Sequence, residues 1–166
     1  MKNFVMFLLT FCFTSTIFAQ VEPRHFTLSR EVISPSGNWM SIDISDASNP
    51  DGIAFDLFLS YDPTVVMADQ VTKGAAAGSF FLTYNTDISG KVYISMFSIY
   101  GGSGGGRLLN VHFIPVNQSE HFETPVFVTR DDINERQIPS YSNVGYLSYT
   151  PLVEVPNLLT STTLFR

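Results

Sequence analysis

From Ile53 to Tyr61 the chain alternates without a break. Ile53, Phe55, Leu57, Leu59 and Tyr61 share one parity, and Ala54, Asp56, Phe58 and Ser60 share the other. Successive side chains of a strand point to opposite faces, so this pattern marks a half-buried strand and excludes an amphipathic helix. Asp62-Pro63 stops it: Asp62 can cap the turn that follows, and Pro63 presets its φ. Whatever fold the chain adopts must give this segment one apolar and one solvent face.

The rest of the chain keeps the same rhythm. Phe26, Leu28 and Val32 alternate with polar neighbours, as do the residues from Trp39 to Ser45, before the turn cluster Asp46 to Gly52. A short segment runs through Val65, Val66 and Val71, and the small-residue stretch Gly74 to Gly78 follows. Strands are then expected at Phe80–Tyr84, Lys91–Ile99, Arg107–Val116, Pro125–Thr129 and Gly145–Tyr149. No window carries helical spacing, and β-branched and aromatic residues dominate each run. Turn signals every ~8–12 residues place the chain among all-β sandwiches or barrels. Neither an internal repeat nor a linker to a second domain is apparent.

The first twenty residues differ from the rest. Lys2 precedes an apolar run from Phe4 to Phe13, and small and polar residues lead to Ala19. This is the layout of a secretory signal peptide over residues 1–19, cleaved before Gln20. The apolar run is about ten residues, half of the roughly 20 that a spanning helix needs, so no membrane insertion is expected after cleavage. The only cysteine, Cys12, lies inside this segment, which leaves the exported chain without disulfides, thiolate nucleophiles or cysteine metal ligands. Stability must then come from burying a core, and one domain over residues 20–150 is long enough to do so. Residues 151–166, with Pro151 and Pro156, form a tail: an extra edge strand, a frayed end, or a stub of a longer protein. A net charge of −6 argues against nucleic acid or anionic membrane as partner, since both require basic side chains to meet phosphates.

The segment from Gly52 to Val66 resembles the signature of cohesin modules. In that family a Gly-Ile opening leads into an alternating strand closed by Tyr-Asp-Pro and an aliphatic pair; here these are Gly52-Ile53, Tyr61-Asp62-Pro63 and Val65-Val66. Gly74, the Gly90-Lys91 hairpin, the strand Leu108 to Phe113, Pro125 to Val128 and an acidic turn Asp131-Asp132-Ile133-Asn134 follow in the family's order. The resemblance spans roughly residues 27 to 150. It implies a jelly-roll β-sandwich of about nine strands, without catalytic machinery, that holds a dockerin-type protein module in an extracellular or cell-surface assembly linked to polysaccharide degradation. It also implies a central contact for Asp56, on one sheet face. Two positions depart from the family: Ala54 stands where an Asn is frequent, and Ile99 near an acidic contact residue.

Each candidate site has a plainer alternative. Asp56 and Phe58, with Ala54, Tyr93, Phe97 and Ile99, are expected to form a protein-docking face, against the alternative of a solvated strand carrying a stray aromatic. The lone Trp39 is expected to be buried near a strand start; exposed, it would join Tyr84, Tyr93 or Tyr100 in stacking on sugar rings, the mark of a polysaccharide-binding module. Asp46, Asn49 and Asp51, and separately Asp131 and Asp132, offer oxygen ligands for Ca2+, but Asx-capped turns explain them equally and no other cofactor is indicated. His25, His112 and His121 fit no zinc spacing, and the chain lacks the Gly-x-Ser-x-Gly elbow of a hydrolase. The functional classes are thus a protein-binding module, a carbohydrate-binding module and a structural or adhesive sandwich. An enzyme is not expected.

Overall fold

The computed structural model describes residues 22–45, 54–100 and 105–152. The expected signal peptide, the candidate ligands Asp46, Asn49 and Asp51, and residues 153–166 of the tail lie outside them. Among the described residues there are eleven strands and one turn of 3-10 helix, Ala75–Ala77. The strands are β1 Arg24–Leu28, β2 Arg30–Val32, β3 Asn38–Ile44, β4 Ala54–Ser60, β5 Val66–Lys73, β6 Phe81–Asn85, β7 Lys91–Phe97, β8 Gly106–Pro115, β9 Phe122–Ile133, β10 Ser140–Ser142 and β11 Gly145–Tyr149.

They form two sheets, ordered β10-β1-β3-β8-β5 and β2-β11-β9-β4-β7-β6. All pairings are antiparallel except β1 with β10 and β2 with β11, where the chain's first strands pair with its last. The inner faces bury one continuous core. Phe26, Met40, Ile42, Leu109, Val111 and Phe113 come from the first sheet, and Phe55, Leu57, Leu59, Ile94, Met96 and Leu147 from the second. At roughly 1.5–3 kcal/mol for each fully buried large apolar side chain, this burial supplies the stabilisation that disulfides supply in many small exported domains.

The sandwich follows the expected alternation but has eleven strands, not nine. The first expected strand breaks at Ser29 into β1 and β2, one joining each sheet. The second addition is β10, a three-residue strand that pairs with β1 at the edge of its sheet, where the Ser140 hydroxyl also donates to the Asp131 carbonyl of β9. The largest correction is β9. The expected strand Pro125–Thr129 runs from Phe122 to Ile133, so Asp131, Asp132 and Ile133 are strand and not turn. The turn comes next, where Asn134, Glu135 and Arg136 have φ of 48°, 55° and 70°. Asn134 tolerates this left-handed backbone better than most residues. Its side-chain Oδ1 accepts the Ala54 N–H at 3.0 Å, and its own N–H donates to the Ala54 carbonyl at 3.0 Å, which pins the start of β4.

Two glycines of the resemblance have physical roles. Gly90 sits at φ +76° in the β6–β7 turn, a conformation that favours glycine, and its carbonyl accepts the Tyr61 N–H. Gly74 has ordinary dihedrals, but a methyl group there would run into the Arg107 carbonyl, so this residue is small because two strands approach closely. Trp39, expected inside, lies instead on the outer face of β3 at 36% exposure, tilted against His112 at 4.8 Å. It pairs across to His112 of β8, whose Nδ1 lies 2.7 Å from Asp69 Oδ1.

Candidate functional site

The outer face of the six-stranded sheet is built by parity. On β4, Phe55, Leu57 and Leu59 point into the core, so Ala54, Asp56, Phe58 and Ser60 point outward. The β4–β7 register sets Ala54 against Phe97, Asp56 against Ser95, Phe58 against Tyr93 and Ser60 against Lys91. The next strand continues three of these rows, with Phe81 beside Phe97, Thr83 beside Ser95 and Asn85 beside Tyr93. On the other side β9 sets Asp132 against Asp56 and Arg130 against Phe58. A bulge between Phe58 and Leu59 leaves Thr129 as the extra residue, and its hydroxyl donates to the Phe58 carbonyl at 3.1 Å.

The result is a polar centre between two aromatic pairs. Ser95 Oγ donates to Asp56 Oδ1 at 2.6 Å, and Arg130 Nη2 lies 3.9 Å from Asp56 Oδ2. The Arg130 guanidinium carbon also sits 4.9 Å from the centre of the Phe58 ring, a cation–π contact. Phe58 meets Tyr93 edge-on at 4.8 Å. Beyond the centre, Phe81 and Phe97 stack at 5.0 Å, and both are more than half exposed.

Arg130 is held from behind. Its Nε donates to Asp132 at 2.6 Å, and Arg136 Nε donates to the other oxygen of the same carboxylate at 3.0 Å. Burial alone would raise the Asp132 carboxyl. The two guanidinium hydrogen bonds outweigh that and leave it below the ordinary carboxylate range. Asp131 has the opposite parity, in register with inward-facing Leu57, and burial together with the neighbouring Asp132 charge raises its carboxyl.

The structure thus brings together Ala54, Asp56, Phe58, Tyr93 and Phe97 on one face. Ile99 is exposed but follows the end of β7, past the Ala54–Phe97 row. The sugar-stacking set does not assemble: Trp39 lies on the outer face of the other sheet, Tyr84 has the inward parity of Ile94, and Tyr100 stands beyond β7. Asp131 and Asp132 have opposite parities on β9, and Asp132 is taken by two arginines, so the two carboxylates do not converge on one point. Among the described residues no three His, Cys, Asp or Glu side chains cluster as metal ligands would. Sequence reasoning missed Arg130, Ser95, Thr83 and Phe81. Only strand register joins them to Asp56, and the charged run Arg130-Asp131-Asp132 looks like a turn.

Solved structures match this sandwich over most of its length. A non-cellulosomal cohesin from Archaeoglobus fulgidus aligns over 80% of this chain and 95% of its own, at TM-score 0.64 and 17% identity. The fold is that of a cohesin module. The sixth cohesin of Acetivibrio cellulolyticus scaffoldin B, solved in complex with a Cel5 dockerin mutant, aligns over 78% of this chain and all of its own, at TM-score 0.67 and 13% identity. A Clostridium thermocellum cohesin, OlpA, solved with a dockerin, gives TM-score 0.65 at 10% identity over 78% of this chain and 100% of its own. No protein-family model and no curated protein matches the chain.

Proposed function

We propose that this cohesin-like chain is an exported, non-catalytic binding module that docks a dockerin-type protein module on the outer face of its six-stranded sheet. The observation that carries this reading is the placement of Asp56. It lies outward on β4, oriented by Ser95, beside Arg130, and flanked by Phe58–Tyr93 on one side and exposed Phe81–Phe97 on the other. Protein interfaces draw their affinity from a few such aromatic and arginine anchors around a fixed polar group. Several structures of the same fold are of complexes with dockerins, which supports the class of partner. Ala54, in place of the family's frequent Asn, leaves the Phe97 end of the face apolar, so the preferred partner presents an apolar group there. Export through the signal peptide of residues 1–19 puts this binding outside the cell or at its surface, in an assembly concerned with polysaccharide breakdown.

A pull-down tests the proposal. The exported chain, residues 20–166, is immobilised and challenged with the secreted proteins of its source, with and without calcium. Recovery of a protein carrying duplicated Asp-rich calcium repeats, and its loss with Asp56→Ala bait, is the expected outcome. Retention of polysaccharide alone, or of nothing, contradicts it.

A further inference from the structure

Each sheet has two edges, and three of the four resist pairing with another strand. Strand β2 has three residues and carries Arg30 and Glu31, with Arg30 held by Glu123 at 2.8 Å. Strand β10 has three residues. Strand β5 is longer, but it carries Asp69 and Lys73 and is bulged between Ala68 and Gln70. Short length, charge and bulges are the ordinary means of blocking edge-to-edge association.

Strand β6 has none of them. Its residues, Phe81-Leu82-Thr83-Tyr84-Asn85, include no charge and no proline, and its register against β7 runs without a shift. Phe81 and Tyr84 are 59% and 41% exposed, and among the described residues no strand pairs with its free side. Lys73 Nζ donates to the Gly78 and Phe80 carbonyls, which fixes the approach to the strand.

We infer that the free edge of β6 pairs with β6 of a second copy of this chain, antiparallel about a two-fold axis through Thr83. The pairing is self-complementary. Phe81 falls opposite Asn85 of the second copy, Leu82 opposite Tyr84, and Thr83 opposite Thr83, a favourable cross-strand pair. Copies with a net charge of −6 repel one another over most of their surface. This edge brings no like charges together: with the register continued, Asp87 falls opposite Ser79. The dimer joins the two six-stranded sheets into one and sets two Asp56 faces side by side. A single five-residue strand pair with its Phe81 and Phe97 rings is smaller than the ~1,000 Å2 of a stable interface, so the dimer is weak, in the micromolar to millimolar range.

Sedimentation velocity on residues 20–166, without any ligand, tests the inference from about 1 μM to about 1 mM. The mean mass is expected to rise towards that of a dimer. Thr83→Lys and Thr83→Glu each place like charges across the axis at an exposed position, and each variant is expected to stay monomeric. An equal mixture of the two restores association, now between unlike copies. A wild-type chain that is monomeric throughout overturns the inference, as does a Thr83→Lys chain that associates like the wild type. Association seen only after deletion of residues 153–166 assigns the edge to the tail and overturns it too. None of these outcomes depends on dockerin binding, which is read separately at Asp56.

Discussion

Ser95 Oγ lies 2.6 Å from Asp56 Oδ1, across the β4–β7 pair, and fixes the direction in which the carboxylate faces solvent. Removing this donor leaves the charge but frees its rotamer. Ser95→Ala is therefore expected to weaken partner binding about tenfold, the scale of one charge-assisted hydrogen bond. Asp56→Ala removes the contact itself and is expected to cost about 2 kcal/mol or more. Titration calorimetry of the two variants checks the order.

Phe58 contributes to the face more than to the fold. It touches Tyr93 and Arg130 on the outside of the sheet, while the core lies on the other side of β4. Phe58→Ala is expected to lower stability by about 1 kcal/mol, through the lost ring contacts, but to weaken binding more than tenfold. Leu57→Ala, one residue away and fully buried, is expected to cost about 2–5 kcal/mol of stability. Urea unfolding of both variants separates the two faces of one strand.

Asp131 and Asp132 respond to pH with opposite sign. The Asp132 carboxyl is lower in the folded chain than in the unfolded one, so its stabilisation is present above the unfolded carboxylate value and is lost as pH falls through the folded value. Asp131 is raised, so its folded form prefers the proton and its ionisation destabilises the fold as pH rises through its folded value. At neutral pH Asp132→Asn is expected to destabilise by about 2 kcal/mol, and Asp131→Asn to stabilise. The Asp131 difference should vanish below the ordinary carboxylate value, whereas the Asp132 difference should fade only at more acid pH, as unfolding midpoints followed from pH 7 down to about pH 2 would register.

Asn134 begins three consecutive left-handed residues and caps the start of β4 with its side chain. Asn134→Ala loses both contributions and is expected to cost about 1–2 kcal/mol. Asn134→Gly keeps the backbone conformation and loses only the acceptor, so its cost should be smaller. Thermal unfolding distinguishes them.

The alternation at Ile53–Tyr61 was enough to put Asp56 and Phe58 on an outward face, because parity alone decides which side of a strand meets the core. Tyr93 and Phe97 joined them because β7 alternates equally clearly. What the chain did not disclose was set by pairing. Arg130 reaches Asp56 only through the β4–β9 register and its bulge, and Arg130-Asp131-Asp132 is strand through the same ladder, where Arg130 and Arg136 compensate the nearly buried Asp132 carboxylate. Trp39 stayed outside because its β3 parity is that of Ser41 and Asp43, opposite to buried Met40, Ile42 and Ile44. Hydrophobicity suggested a buried tryptophan; position in the strand decided otherwise.

The proposed docking surface is the outer face of the six-stranded sheet. The most direct test is the affinity of a recovered dockerin-type partner for four chains: wild type, Asp56→Ala, Phe58→Ala and Trp39→Ala. Asp56→Ala and Phe58→Ala are each expected to weaken binding at least tenfold, while Trp39→Ala, on the opposite sheet, leaves it unchanged. Full affinity in Asp56→Ala and Phe58→Ala, with loss in Trp39→Ala, would contradict it and move the binding surface to the other face.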